Sequence, residues 1–347
     1  MVGIGWAGRQ HLDAYANRDD VEIIGVAGME PDLLAELRDE YGVPHAVARW
    51  EDLIALEGLD AVSVAVPTFL HAPITVAALA RGLHVLSEKP IARNGDEAQL
   101  MVDAARRAGR VLEIAFNHRR RGDITALKRV IDDGELGRPY YAKASWLRRS
   151  GIPSLGSWFT NRDMAGGGPL ADIGVHVIDY ALHLLGEPKV LSVAASTYSE
   201  LGPQGRGGGT YGAQAAGSAF EVEDFASAFM RLEGGATLLV EAGWAAYREP
   251  EDLMDFRVYG TDGGATLSRV GGPQDAVETL RVFTEKGDHE PEVGPSLGHR
   301  GVVDDFLAAI RAGAAEWGRH DGSLALDRAR IIDACYASAA QHREVHL

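Results

Sequence analysis

Gly3-Ile4-Gly5-Trp6-Ala7-Gly8, followed by Arg9-Gln10-His11, carries the pattern G-x-G-x-x-G. In a strand–turn–helix frame the first glycine permits the tight turn. The second lets backbone approach a pyrophosphate, and the third allows helix and strand to pack closely. A helix opening here, around Arg9–Ala16, turns its first N–H groups toward the phosphates. With 42 glycines in the chain the match alone is weak, so its context decides. The apolar runs Val21–Ala27, Ala61–Val66, His84–Leu86 and Val111–Phe116 read as strands buried on both faces of a parallel sheet. Between them Pro31–Tyr41, Pro73–Arg81 and Asp96–Ala108 have helical spacing. This alternation predicts an α/β, doubly wound Rossmann domain over residues 1–117. Only Met1 and Val2 precede the first glycine, so the strand feeding the turn is either shortened or begins upstream, and the second is the expectation.

The character changes after Asn117. A helix over Asp123–Asp133, a strand-like Tyr140–Leu147 and a helix over Leu170–Leu185 come first. Then follow the runs Val190–Thr197, Asp224–Leu232, Ala236–Ala242, Asp255–Tyr259, Ala265–Arg269 and Leu280–Thr284. Glu233-Gly234-Gly235 and Thr261-Asp262-Gly263-Gly264 suit hairpin turns between neighbouring runs. Helical segments Val302–Arg311 and Ser323–Gln341 close the chain. Residues 118–347 therefore read as a second, α+β domain with an open, mainly antiparallel sheet. Gly202–Gly217 is of low complexity and lacks a strand–helix frame, so it reads as a loop rather than a phosphate-binding turn.

The 347 residues include 34 Lys+Arg against 50 Asp+Glu, a net charge of −16. Such a surface repels phosphate backbones and anionic lipid, which argues against nucleic-acid and membrane partners. No apolar run approaches the roughly 18 residues of a membrane span. The single cysteine, Cys335, excludes an internal disulfide and points to a reduced, cytoplasmic setting.

Only five of the 34 basic residues are lysine, so a lysine in a suggestive place carries weight. Lys89 is one: Glu88-Lys89-Pro90 follows a strand, at the carboxyl edge where open α/β sheets collect their ligands. A surface lysine is the plainer alternative. A second element is Gly166-Gly167-Gly168-Pro169-Leu170-Ala171-Asp172-Ile173-Gly174-Val175-His176, where Pro169 suits a first helical turn. Asp172 and His176, four apart, then share one face with Asp179 and His183, opposite Leu170, Ile173, Val177, Ala181 and Leu184. An amphipathic helix with a solvated polar face also explains that pattern, and nothing elsewhere completes a metal site. At the end of the second strand Gly28 stands where a ribose-binding acid is expected, with Glu30 two places on. Glu30 would accept from a 2′-hydroxyl and repel a 2′-phosphate, which favours NAD over NADP.

Together these stretches resemble the Gfo/Idh/MocA oxidoreductases. The resemblance rests on GIGWAGRQH (Gly3–His11), VPTFLH (Val66–His71), GLHVLSEKPI (Gly82–Ile91), FNHR (Phe116–Arg119) and GGGPLADIGVHVID (Gly166–Asp179). It implies an N-terminal Rossmann domain for NAD or NADP and a C-terminal substrate domain whose sheet forms a homodimer or homotetramer interface. It assigns Lys89, Asp172 and His176 to catalysis. Gly3, Gly5, Trp6, Ala7, Gly8, Glu30, Pro67, Thr68 (in place of the usual Asn), His71, Glu88, Lys89 and Asn117 are assigned to the cofactor. Lys89, Arg119, Trp158, Asp172 and His176 are assigned to substrate. The implied reaction is hydride transfer between the nicotinamide and a secondary alcohol or ketone of a sugar, inositol or related polyol. A redox-neutral glycoside cleavage by oxidation and elimination, and a non-catalytic nucleotide-binding regulator, are the alternatives.

Overall fold

The computed structural model describes residues 1–208, 219–272 and 276–347. Of the loop expected over Gly202–Gly217, residues 209–217 lie outside the described residues, and Gly202–Gln204 form a 3-10 turn. The chain divides into two compact units, Met1–Asn117 with Leu297–Ala329, and His118–Ser296 with Arg330–Leu347.

The first unit runs α1 (Trp6–Ala16), β1 (Gly25–Ala27), α2 (Pro31–Tyr41), β2 (His45–Val47), α3 (Trp50–Ile54), β3 (Ala61–Val64), α4 (His71–Ala80), β4 (His84–Ser87), α5 (Gly95–Ala108) and β5 (Leu112–Ile114). Local chemistry sets several ends. Pro31 opens α2 and Gly42, in the left-handed region, closes it. The Asn94 side chain accepts from the Glu97 N–H at the start of α5. All strand pairs are parallel: β1 with β2, and β3 with β4 with β5. Val2 joins the two sets, bridging Ala27 on one side and Val64 on the other. Its N–H donates to Ser63 O at 2.8 Å, and its carbonyl accepts from Ala65 N at 2.8 Å. The order is thus β2-β1-Val2-β3-β4-β5, the doubly wound arrangement with the segment at Val2 between β1 and β3. Val2 thus takes part in the central position of the sheet, paired on both sides.

The second unit contributes α6 (Gly122–Asp132), β6 (Pro139–Arg148), α7 (Arg162–Ala165), α8 (Val175–Leu184), β7 (Val190–Tyr198), β8 (Phe225–Leu232), β9 (Thr237–Gly243), β10 (Asp252–Gly260), β11 (Gly263–Val270), β12 (Val277–Thr284) and β13 (Gly287–His289). After them come α9 (Gly298–Arg311), α10 (Ser323–Gln341) and β14 (Val345–His346). One nine-stranded sheet has the order β13-β12-β11-β10-β6-β9-β8-β7-β14. Its neighbours are antiparallel except β6 and β9. Both expected hairpins form, β8–β9 and β10–β11. Alternation along the strands buries Ala142, Ala144, Trp146, Leu238, Val240, Phe256 and Val258 on one face, where α6 and α8 pack. Tyr141, Lys143, Leu239, Glu241 and Arg257 lie half-buried or exposed on the other.

α9 belongs with the first unit rather than with residues 118–347. Val302, Val303, Phe306 and Ala309 pack into one buried cluster with Ala14, Leu86, Val111 and Ala115. An amphipathic pattern states that a face is buried but not against what, and here the partner is the sheet that begins the chain. α10 is divided between the units at Ala329.

Candidate active site

In the first unit the glycine turn forms a cradle. Gly3 has φ +88°, and a Cβ there would meet Ala65 O at 2.1 Å; one on Gly8 would meet Gly3 O at 2.1 Å. Backbone contact therefore demands both glycines. Gly5 differs: nothing lies within 4 Å of its would-be Cβ. It is the N-cap of α1, no side chain caps the N–H groups that follow, and no acid sits in the first turn. An open helix start with uncapped donors beneath empty space fits a dinucleotide pyrophosphate. Trp6, at the lip, is 69% exposed. Glu30 is exposed, at the N-cap of α2, and makes no capping hydrogen bond. Gly28 finds its explanation here, because a Cβ there would fall 2.4 Å from Ile4 Cδ1.

The turns after β3 and β4 are tied together. Thr68 starts a 3-10 turn behind Pro67 and is buried. His71 Nδ1 lies 2.8 Å from Pro90 O and Nε2 lies 2.9 Å from Val66 O, so the ring clips the Val66-Pro67 turn to the Lys89-Pro90 turn. Burial lowers its pKa against the pull of the two carbonyls. His71 therefore sits as a latch between two loops, with a backbone carbonyl against each ring nitrogen. Glu88 is engaged likewise. Its Oε1 accepts from His11 Nε2 at 3.1 Å and from His299 Nε2 at 3.2 Å, while Oε2 accepts from the Lys89 N–H at 3.1 Å. Burial opposes ionisation of Glu88, yet the hydrogen bonds from His11 and His299 outweigh it and hold the carboxyl well below the usual range. Asn117 Nδ2 stands 3.5 Å from His299 Nδ1. Lys89 itself is half-buried.

His11, Glu88 and His299 form a set the sequence did not disclose, with one donor atom from each within 4.8 Å of the others, a spacing that suits a metal ion. A metal-bound histidine almost always donates its second ring N–H to an acceptor. His11 Nδ1 is buried and has no such partner. The cluster is therefore a hydrogen-bonded anchor for the Glu88-Lys89 turn. Its signal, His11 in the first helix and His299 far downstream, is visible only once α9 is seated on this unit.

In the second unit the Asp172/His176 element departs from a simple helix. Leu170–Gly174 form a π turn that passes into α8. Residues 173–182 are all buried, so the helix is enclosed rather than amphipathic. The carboxylate of Asp179 survives there because it is paired. Asp179 receives both arms of Arg119, Nε at 2.7 Å and Nη2 at 2.6 Å, and Glu187 takes Nη2 at 3.0 Å. Arg119 thus has a scaffold duty that the sequence did not reveal. Burial and the Arg119 charge lower the His183 pKa to about 4.

Asp172 is half-buried, and its Oδ2 accepts from the indole N–H of the fully buried Trp244 at 3.0 Å. His176 is buried with its ring 4.3 Å from that of His118 and 6.0 Å from that of Trp146. Trp158 opens a 3-10 turn and stacks on Phe159 at 3.8 Å. His118, within Phe116–Arg119, has no spacing that marks it as a neighbour of His176, and Trp146 and Trp244 carry no local signal.

A parallel sheet with an open glycine turn, in one chain with a sheet that backs an enclosed Asp/His helix, defines a nicotinamide-dependent oxidoreductase. Residues 1–116 match the model of the oxidoreductase family with NAD-binding Rossmann fold, and 124–266 match the GFO/IDH/MocA C-terminal domain. The chain belongs to the Gfo/Idh/MocA oxidoreductase family. It is 35% identical to D-glucoside 3-dehydrogenase of Escherichia coli, over 77% of this chain and 76% of that enzyme. It is 32% identical to levoglucosan dehydrogenase of Pseudarthrobacter phenanthrenivorans, over 77% of this chain and 72% of that enzyme. A solved structure of levoglucosan dehydrogenase with NADH and levoglucosan is similar at TM-score 0.81 and 28% identity, covering 99% of this chain and 97% of that one.

Proposed function

We propose that this chain is an NAD-dependent dehydrogenase or reductase acting on a secondary alcohol or ketone of a sugar, inositol or related polyol. The observation that carries the reading is the enclosed helix in which Trp244 fixes Asp172 and His176 lies one turn on, because nucleotide binding alone has no use for it. The names of the relatives, a glucoside and a levoglucosan dehydrogenase, support the sugar class. The exposed carboxylate of Glu30 supports NAD over NADP by repelling a 2′-phosphate.

Gly3, Gly5, Trp6, Ala7 and Gly8 hold the pyrophosphate, and Glu30 the adenosine ribose. Pro67, Thr68 and Asn117 line the cofactor, while His71 and Glu88 shape the turns around it. Bound NAD supplies the hydride acceptor. His176, whose residue type titrates near neutral pH, takes the substrate hydroxyl proton. Lys89 stabilises negative charge developing on that oxygen. Asp172 accepts from a neighbouring hydroxyl, and Trp158 offers an apolar wall. Arg119 positions the helix through Asp179.

The test is a cofactor-linked screen of pyranoses, methyl and aryl glycosides and inositols with NAD and with NADP. Steady reduced cofactor with a sugar or inositol is expected, faster with NAD. Aglycone release without net reduced cofactor would instead indicate redox-neutral cleavage, and absence of both turnover and nucleotide binding would overturn the reading.

Assembly as a homodimer or homotetramer through the outer sheet face is part of the proposal. That face offers stacked Tyr141 and Tyr259, half-buried Leu239 and Phe229, and the Lys143–Glu241 pair. Light scattering should give a multiple of the chain mass that Leu239→Asp reduces; a monomeric wild type defeats this. Among the described residues no helix is long and apolar enough to cross a membrane. The free, buried thiol of Cys335 suits the reducing cytoplasm, where we place the enzyme.

A further inference from the structure

We propose that Glu223 is a positioning residue for the reaction: its buried carboxylate caps the start of the π turn and fixes Asp172 and His176 in place. The start of a helical segment leaves N–H groups without partners, and Pro169 has none to offer. Glu223, on the residues leading into β8, supplies the acceptor. Its Oε2 takes the Gly168 N–H at 3.1 Å and its Oε1 takes the Leu170 N–H at 3.0 Å. The Tyr336 hydroxyl, on α10, donates to the same Oε1 at 2.9 Å.

The glycines confirm that the fit is tight. A Cβ on Gly168 would lie 2.1 Å from Glu223 O, and one on Gly167 would lie 1.9 Å from the Tyr336 hydroxyl. The next residue continues the clamp. Asp224 O accepts from the Trp244 backbone N–H at 3.0 Å, and the Trp244 indole in turn holds Asp172 Oδ2 at 3.0 Å. Glu223-Asp224 therefore controls the segment twice, through its backbone and through its acid.

Stability alone does not account for this carboxylate. Burial raises the Glu223 pKa in spite of the hydrogen bonds it receives, so holding it ionised costs folding free energy. A glutamine of the same shape removes that cost but turns an NH2 toward one of two backbone donors, which frees that donor. A positioning role thus separates activity from stability, whereas a structural role ties them.

The inference rests on the dehydrogenase reading, and the test separates the two. Full-length wild type, Glu223→Gln and Tyr336→Phe would be compared with NAD and methyl β-D-glucopyranoside, myo-inositol and levoglucosan as probes. Nucleotide affinity would be read by tryptophan fluorescence, and amide exchange by mass spectrometry of peptides spanning 166–176. Glu223→Gln is expected to lower kcat about tenfold, as for one lost hydrogen bond. Its NAD affinity should stay unchanged, its Tm should equal or exceed wild type, and exchange at Gly168 or at Leu170, whichever faces the new NH2, should quicken at least about tenfold. Tyr336→Phe keeps the carboxylate and should show the kcat and exchange effects more weakly with unchanged NAD affinity, which keeps the test valid if the glutamine variant fails to fold. Wild-type exchange at those amides, or a joint fall of Tm, nucleotide affinity and kcat, overturns the inference. A wild type that turns over none of the sugars defeats the proposed function instead, while exchange at 168 and 170 still decides whether Glu223 caps the turn.

Discussion

The start of α1 and the start of the π turn at Leu170 are built from the same problem and solve it in opposite ways. Both present backbone N–H groups with no partner inside their own helix. At α1 no side chain caps them and open space lies above Gly5. At Leu170 the chain brings its own carboxylate, Glu223, and closes the space with Tyr336. An anion is required in each place, supplied from outside in one and from within in the other. Unspent donors mark where a ligand is awaited, and satisfied ones mark where geometry is kept.

The largest effect should come from chemistry beyond the closed start. His176→Ala is expected to lower kcat by about 10²–10⁴-fold, the span of general acid–base terms. Lys89→Ala should lower it by at least ~10²-fold through lost charge stabilisation. Near-normal turnover by either purified variant breaks the assignment. At the open start, Gly5→Asp places a negative charge where the pyrophosphate is expected, and its Cβ has no protein atom within 4 Å. NAD affinity should fall at least ~100-fold, since like-charge juxtaposition costs several kcal/mol, while Tm stays put. A fall in Tm would mean that the space is structural. Gly168→Ala is the counterpart at the closed start: it drives a methyl into the Glu223 carbonyl and should cost about 1–3 kcal/mol, read as a lower Cm in urea. Unchanged stability there would remove the contrast between the two helix starts.

Smaller effects concern the turn at Lys89. The Glu88 carboxyl is held below the usual carboxylate value, so its contribution is fully present above the unfolded value of 4.5 and is lost as pH falls toward the depressed one. Glu88→Gln should flatten the acid limb of the stability profile, with His11 and His299 the titratable groups facing it. An identical slope in the variant would refute the anchor. Chelator treatment should leave turnover and NAD affinity unchanged, and a loss reversed by added metal would turn the His11–Glu88–His299 cluster into a metal centre.

The two helix starts also differ in how far they could be read from residues alone. Three glycines, a following helix and an apolar strand make one contiguous signal, and α2 and α10 emerge with the bounds their patterns predict. β2 escaped notice because three half-exposed or exposed residues, His45–Val47, form no apolar run. Asp179 and His176 looked solvated because a polar residue's local pattern is the same whether it meets water or Arg119. Glu223 could not be foreseen at all, since the three donors to its carboxylate, Gly168, Leu170 and Tyr336, each lie more than 50 positions away in the chain. Spacing reveals periodicity within an element, whereas long-range hydrogen bonds leave no trace in it.

The return of Val302, Val303 and Phe306 to the cluster around Leu86 has a consequence for how the protein is made. The nucleotide-binding unit is assembled from two separate stretches, Met1–Asn117 and Leu297–Ala329, with most of the second unit translated in between. A ribosome that has finished Asn117 has therefore released a sheet with one layer of its cover still unsynthesised. Its apolar side must wait for some 180 further residues, roughly ten to forty seconds at usual rates of synthesis, before α9 can seat. Long-range closure of this kind slows folding and leaves the early half dependent on the late one. The glycine turn is therefore written long before the domain beneath it can be completed by α9.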